Sequence, residues 1–172
     1  MKNVFIETER FFLRALVEDC VNARYLEWIN SSNKSQYISY SNQKHTVDEI
    51  RSYILERVNS STILFLGIFV RGSGEHIGNI KYEPIDFQKS YTIMGILIGE
   101  RDWRGKGVAA EVIKASSMWL HNKYGIKQII LGVNTGNIWA IKAYEKVGFS
   151  EKKTPLIRKI DKTNITMVWD IK

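Results

Sequence analysis

The order of apolar and polar residues predicts a chain in which strands and amphipathic helices are mixed. Apolar runs that predict strands cover residues 11–16, 62–70, 76–82, 91–98, 128–133, 149–153 and 164–171. Apolar residues at steps of three and four predict helices that open at Glu18, at Thr46, after Gly107 and at Asn137. The early strands form hairpins and the later ones alternate with helices, which predicts a mixed α/β sheet rather than a regular βαβ series.

Short polar signals mark where the helices begin and end. Thr46 and Glu49 have the spacing of a capping box, and Gly125 and Gly148 stand where helices need a left-handed residue at their C-terminus. The polar segment 30–44 is predicted to be a loop. These signals leave no linker and no repeat, so residues 1–172 are expected to form one domain.

Composition narrows the classes of function. Apolar residues make up 44% of the 172 and charged residues 25%, with a formal net charge of +7, which suits an anionic ligand. No run of basic residues is long enough for DNA, and no segment predicts a signal peptide or a membrane span. Cys20 is the only cysteine and the histidines lack metal-ligand spacing, so we expect a cytoplasmic protein without a metal.

The segment Arg101 to Ala110, RDWRGKGVAA, is the strongest chemical signal. Two glycines flank a lysine at the predicted start of a helix, where unpaired backbone N–H groups and the helix dipole attract phosphate. The competing interpretation is a tight turn with two solvated cations.

Two familiar phosphate motifs do not fit this segment. A Walker loop needs four residues between its glycines and a hydroxyl after the lysine, but Gly99 lies too far from Gly105 and Gly107 takes the hydroxyl's place. A dinucleotide fingerprint fits Gly105, Gly107 and Ala110 formally. However, it should follow its strand at once, and the next strand should end in an acid rather than in Asn134.

A third interpretation rests on two blocks together. Arg104-x-x-Gly107-x-Ala109 resembles the RxxGxG/A loop of the GNAT superfamily of acetyl-CoA-dependent N-acetyltransferases, and residues 137–149 resemble its NxxAxxxYxKxGF segment. The start, ERFFLRALVEDC, is similar to the branch with ribosomal-protein N-terminal and spermidine acetyltransferases. The resemblance implies a mixed, mostly antiparallel sheet whose two central strands, 91–98 and 128–133, splay apart around coenzyme A.

The resemblance also implies residue roles. Backbone groups near the end of the first splayed strand would bind the pantetheine arm, the glycine loop would bind the pyrophosphate, and Tyr144 would stand near the thioester sulfur. The implied cofactor residues are Leu97, Ile98, Gly99, Arg104, Gly105, Lys106, Gly107, Val108, Ala109, Ala110, Asn137 and Tyr144. Tyr144 and Glu100 are the catalytic candidates.

The resemblance does not identify a general base in this sequence. The position at which some relatives carry a glutamate is Gly132 here, which leaves Glu83, Asp86 and Glu100 as candidates beside a water chain or no dedicated base.

The acceptor remains open between a protein N-terminus, a small amine and a nucleotide-linked amino sugar, with a non-catalytic acyl-CoA-binding domain as the alternative outside enzymes. The positive net charge disfavours a polyamine. Segment 30–44, with Tyr37 and Tyr40, is either part of an acceptor pocket or a plain connection, and the sequence allows a monomer or a homodimer.

Overall fold

The computed structural model describes residues 1, 3–32, 44–156 and 163–172. The strands are β1 (Phe5–Glu7), β2 (Phe11–Ala15), β3 (Leu64–Val70), β4 (His76–Asp86), β5 (Tyr91–Ile98), β6 (Gln128–Asn134), β7 (Ser150–Glu151) and β8 (Asn164–Asp170). The α-helices are α1 (Ala23–Ser32), α2 (Val47–Val58), α3 (Val108–Tyr124) and α4 (Ile138–Val147). Tyr37 and Tyr40 lie outside the described residues.

The strands form one sheet in the order β1-β2-β3-β4-β5-β6-β8-β7. Every neighbouring pair is antiparallel except β5 and β6, which are parallel. The expected mixed and mostly antiparallel sheet is therefore confirmed. Helices α1 and α2 contribute to an apolar core on one face of the sheet, and α3 contributes to a second core on the other face.

The local start and stop signals have the predicted effect at three helix ends. Thr46 accepts a hydrogen bond from the Glu49 N–H while the Glu49 carboxylate accepts one from the Thr46 N–H, so the capping box that opens α2 is confirmed. Gly125 (φ 70°) and Gly148 (φ 121°) follow α3 and α4 with positive φ, as the sequence predicts.

The predicted helix start at Glu18 is wrong. Residues Glu18–Cys20 form a single 3-10 turn, and the α-helix begins only at Ala23. The Asn22 side chain accepts a hydrogen bond from the Tyr25 N–H and so caps the start of α1, a role that Glu18 and Asp19 do not have. The sequence also misses the short edge strand β1, and it ends α1 too early because the helix continues through Asn30 to Ser32.

Strands β5 and β6 separate part-way along their length. They are paired only at Tyr91–Gln128, Thr92–Ile129 and Ile93–Ile130. Beyond that point β5 stays with β4 as far as Ile98, and β6 stays with β8 as far as Asn134. The two central strands therefore diverge into a split that opens toward their carboxyl ends, where α3 and α4 begin, and the expected splay is confirmed.

Candidate active site

Backbone groups that face away from β4 line the β5 side of the split. The Gly99 N–H donates to the Ile77 carbonyl at 2.9 Å, which directs the backbone of Gly99 toward β4. Because backbone polar groups alternate between the two sides of a strand, Leu97 also faces β4, whereas Met94, Ile96 and Ile98 face the split. Of the three residues expected to offer backbone groups here, only Ile98 is turned toward the split, and its carbonyl already accepts a hydrogen bond from Arg104.

The β6 side of the split has one residue of special interest, Gly132. The Ile171 N–H donates to the Lys127 carbonyl at 2.8 Å, which directs odd-numbered residues of β6 toward β8. The N–H and C=O of Gly132 therefore face the split, and a Cβ at this position would meet nothing within 4 Å. Gly132 thus offers a main-chain donor and acceptor to the split and adds no side chain beside it.

The glycine loop stands at the open end of the split and leads directly into α3. Gly105 (φ 73°) and Gly107 (φ 77°) both need the left-handed conformation, and Gly107 is the N-cap of α3 without a side-chain cap. Among the described residues, none accepts a hydrogen bond from the six consecutive N–H groups of residues 105–110. A helix of 17 residues therefore begins with a cluster of free donors, the arrangement that binds phosphate.

The cations of the loop have different surroundings. Arg104 turns back, so that its Nε donates to the Ile98 carbonyl at 2.9 Å and one terminal nitrogen donates to the Gly99 carbonyl at 3.0 Å. This contact ties the loop to the end of β5 and leaves part of the guanidinium for a ligand. Lys106 is exposed, with its ammonium 5.7 Å from the centre of the Trp103 ring.

Arg10 is a further cation at this loop. Its Nε and one terminal nitrogen each lie 2.8 Å from the same carboxylate oxygen of Glu111, in the first turn of α3. Its other terminal nitrogen donates to the Lys106 carbonyl at 3.0 Å. Arg10, which directly precedes β2, therefore connects this strand to both the glycine loop and α3.

The start of α4 borders the other side of the split. The side-chain oxygen of Asn137 caps this helix by accepting a hydrogen bond from the Ala140 N–H at 3.2 Å. Tyr144, two turns on, is partly buried and packs against Phe149, with the ring centres 5.8 Å apart. Burial raises the pKa of Tyr144 to about 12, and none of the described residues hydrogen-bonds its hydroxyl. The group thus stays a protonated donor.

None of the three acids considered as a general base is free of a partner. Glu100 Oε1 lies 3.4 Å from the Arg24 guanidinium, an ion pair without a hydrogen bond among the described residues, and Asp86 accepts the N–H of Lys89 in a turn. Burial alone would raise the pKa of Glu83. Its contacts with Lys81 and Arg57 outweigh that effect and hold the pKa below its usual value.

A cavity of about 270 Å³ lies on the α1 and α2 side of the sheet. Its walls are mostly apolar, from Ile29, Ile50 and Phe65, while Lys81 and Asn79 are polar groups from β4. Its floor is Gly95, Ile96 and Leu97, the part of β5 that borders the split. A Cβ at Gly95 would meet nothing within 4 Å, so this glycine keeps the cavity open next to the split.

The family assignment agrees with this geometry. Residues 10–150 match the acetyltransferase (GNAT) domain family, a range that contains the glycine loop, both splayed strands and Tyr144. The chain belongs to the GNAT acetyltransferase family. It is therefore an acyltransferase, and the resemblance noted in its sequence is confirmed.

The acetyltransferase is similar to proteins whose names state different acceptors. It is 33% identical to an N-alpha-acetyltransferase from Saccharolobus solfataricus over 75 residues, and the match spans only 44% of each chain. Its fold is similar to that of RimL, a ribosomal L7/L12 alpha-N-protein acetyltransferase solved with coenzyme A (TM-score 0.83, 15% identity, 98% of both chains).

A second similar structure is a spermidine N-acetyltransferase chimera of SpeG from Vibrio cholerae and hSSAT. Its TM-score is 0.72 at 19% identity, over 93% of this chain and 95% of that one. At these identities, the two structural matches establish the fold of the acetyltransferase and leave its acceptor open.

Two pairs of contacting residues in the acetyltransferase could not be predicted from the sequence. Arg10 and Glu111 are separated by 101 positions, and Lys81 and Tyr53 by 28, so no local pattern connects them. The one available signal was that Arg10 is the second residue of the ERFFLR segment that resembles the family. Within the described ranges no helix has the length and apolar character that crossing a membrane requires, and no group of three or more potential metal ligands occurs.

Proposed function

We propose that this acetyltransferase transfers an acetyl group from acetyl-CoA to a primary amine, and that the chain forms one N-acetyltransferase domain. The observation that carries the proposal is the row of six N–H groups at residues 105–110, which have no acceptor among the described residues and lie at the mouth of a split between parallel strands. This combination suits a ligand with a pyrophosphate and a long, amide-containing arm. The buried free thiol of Cys20 is compatible with the reducing cytoplasm in which we place the protein.

The cofactor residues divide into two groups in this proposal. The N–H groups of residues 105–110 bind the pyrophosphate, with Lys106 and the free part of Arg104 adding positive charge. The backbone of Met94, Ile96 and Ile98 on one side and of Gly132 on the other bonds the amides of the pantetheine arm. Leu97 and Gly99 then serve packing rather than binding, and Asn137 contributes chiefly as the cap of α4.

The acceptor occupies the cavity on the other side of β5. Because Gly95 and Leu97 form its floor, an amine there is separated from the split only by the strand edge. The amine nitrogen bonds to the acetyl carbon and the carbon–sulfur bond breaks. The nitrogen loses a proton to water and the thiolate gains one from water. No carboxylate of the protein therefore needs to serve as the general base. We assign Glu100, paired with Arg24, to structure rather than catalysis.

Tyr144 stabilises the leaving thiolate through a hydrogen bond. A tyrosine with a pKa of about 12 is a much weaker acid than a thiol, whose pKa is about 8.5, so complete proton transfer would be uphill by roughly 5 kcal/mol. Donation without transfer avoids this cost and still lowers the barrier.

The proposal is tested by thermal unfolding with ligands. Acetyl-CoA at 100 times its dissociation constant should raise stability by about 2.7 kcal/mol, a shift of roughly 5–10 °C in Tm, while NAD and ATP should have little effect. No shift with acetyl-CoA would overturn the proposal.

A variant of Gly95 tests whether the cavity is the acceptor site. Gly95→Leu should leave acetyl-CoA affinity unchanged and raise the KM for an amine acceptor at least tenfold, because the side chain would enter the cavity. If Gly95→Leu left the KM unchanged, the cavity would not be the acceptor site.

A further inference from the structure

The acceptor cavity contains one lysine, Lys81, whose ammonium group has more donors than partners among the described residues. The Lys81 ammonium donates to the Tyr53 hydroxyl at 2.7 Å and pairs with Glu83. A lysine has three N–H donors, so two described partners leave one donor at the cavity wall. The Lys81 side chain is only 26% exposed, which makes its charge more effective than that of a surface lysine.

The carboxylate beside Lys81 does not cancel its charge. Glu83 is shared with Arg57, whose Nε lies 3.3 Å from the same carboxylate oxygen that Lys81 contacts. Arg57 also covers the Tyr53 ring, with its guanidinium carbon 3.4 Å from the ring centre. Arg57 also contacts the Glu56 carboxylate at 3.2 Å, but the Glu56 side chain is 78% exposed, so water screens its charge. The less exposed groups Lys81, Arg57 and Glu83 together carry a formal charge of +1, and Arg57 and Tyr53 hold Lys81 in place.

Glu49 is a second charged residue of the cavity lining. Its oxygen accepts the Thr46 N–H at 2.7 Å in the capping box of α2. Among the described residues of the lining, Glu49 is the only acid. A polycationic acceptor needs several anionic partners along its length, and these walls do not supply them.

The geometry points to a specific acceptor class: a small primary amine with one apolar group and one anionic group, a carboxylate or a phosphate, bound by Lys81. This inference rests on the proposed function. The apolar walls take the apolar group, Lys81 takes the anion, and Gly95 gives the amine access to the split. The size of the cavity, about 270 Å³, suits a molecule near the size of a single amino acid.

The test uses four acceptors. L-Phenylalanine supplies an amine, an apolar group and a carboxylate; its phosphonate analogue replaces the carboxylate; L-phenylalaninamide removes the anion; and spermidine represents polycations. Acetyl transfer is followed as product mass, and kcat/KM is expressed per concentration of free amine so that different amine pKa values do not distort the comparison. We expect at least about tenfold preference for the anionic acceptors over the amide. Preference for the phosphonate over the carboxylate would identify a phosphate-bearing acceptor.

Variants assign that preference to Lys81. Lys81→Met should lower kcat/KM for the anionic acceptors about tenfold and leave the amide nearly unchanged, whereas Lys81→Arg should keep most of the preference. The double variant Lys81→Met with Glu83→Gln repeats the test without leaving an unbalanced carboxylate. Lys114→Met, an exposed lysine on α3 across the sheet, is the matched control and should have no effect.

The outcomes separate this inference from the proposed function. A protein that binds acetyl-CoA but prefers the amide or spermidine overturns the acceptor class alone. The same conclusion follows if Lys81→Met keeps the preference, or if the coenzyme A-loaded protein neither binds L-phenylalanine or the phosphonate by calorimetry nor acetylates them. A protein that does not bind acetyl-CoA overturns the proposed function itself.

Discussion

The guanidinium of Arg10 and the carboxylate of Glu111 form a two-pronged contact at 2.8 Å between residues 101 positions apart. The Arg10 N–H donates to the other oxygen of the same carboxylate at 2.9 Å. Since Arg10 also binds the Lys106 carbonyl, the pair holds the glycine loop against the first turn of α3. Loss of this ion pair should therefore lower the affinity for the cofactor more than it lowers the free energy of unfolding.

We predict that Arg10→Gln weakens coenzyme A binding about tenfold in calorimetry, because the N–H groups of the loop lose their fixed arrangement. Binding of pantetheine, which lacks the pyrophosphate, should not change. The free energy of unfolding should fall by less than about 1 kcal/mol, as is usual for a partly exposed ion pair.

Two further variants support the Arg10 test. Glu111→Gln should have a similar effect on coenzyme A affinity, and the double variant should add little. Arg71→Gln is the control, because Arg71 bonds the Thr8 carbonyl and lies outside the loop contacts. An equal loss of pantetheine affinity in Arg10→Gln would mean that the pair does not act through the pyrophosphate loop.

Gly107→Asp should abolish measurable coenzyme A binding or weaken it at least a hundredfold. The new carboxylate would stand beside the free N–H groups and repel the pyrophosphate, in a backbone conformation that favours glycine. Gly125→Asp is the matched control: it has the same left-handed conformation with open space around it, at the opposite end of α3. Similar losses of affinity in both variants would attribute the effect to backbone strain.

Tyr144→Phe should lower kcat tenfold or more and leave the dissociation constant of acetyl-CoA within about twofold. Because burial raises the pKa of Tyr144 to about 12, the ratio of the wild-type to the variant kcat should stay constant from pH 6 to pH 9. Tyr124→Phe, at the end of α3, serves as control. A variant that turns over as fast as the wild type would remove Tyr144 from the mechanism.

Gly99 should prove to be a packing residue. A Cβ at this position would overlap the indole ring of Trp28, which is 7% exposed. Gly99→Ala should therefore lower the free energy of unfolding by about 1–3 kcal/mol in urea titrations. Gly95→Ala, with nothing within 4 Å of its new methyl group, should change it much less. Equal effects would show that the Trp28 contact is not the cause.

His76 should make stability depend on pH. Burial, as the main cause, lowers the pKa of His76 from 6.5 to about 4, with the charges of Arg24 and Arg14 acting in the same direction. Between these values the unfolded chain binds a proton that the folded protein does not. The contribution of neutral His76 to the free energy of unfolding is therefore complete above pH 6.5. It falls by up to about 3 kcal/mol as the pH drops to about 4.

Urea unfolding at several pH values tests this dependence. His76→Gln should show a smaller loss of stability between pH 6.5 and pH 4 than the wild type. The same substitution at His121, which bonds the Ile126 carbonyl near the end of α3, is the control. An unchanged pH dependence in His76→Gln would exclude His76 as its source.

The sequence by itself determined the features that depend on neighbours in the chain. Apolar periodicity predicts β5 and α4, Thr46 and Glu49 form their capping box, and the glycine loop precedes a helix as expected. These features need only a few consecutive residues, because propensity, capping and positive φ act locally. The family resemblance extended this local information to the sheet and its splay.

Only the tertiary structure decided which distant groups meet. The register of β4 with β5 places Lys81 opposite Gly95 and turns the backbone of Ile98, but not that of Leu97 or Gly99, toward the split that opens beyond Ile93. Contacts such as that of Arg10 with Glu111 follow from how the sheet and helices pack. Many sequences satisfy the same local patterns, whereas strand register and side-chain contacts are fixed by burial of the whole core.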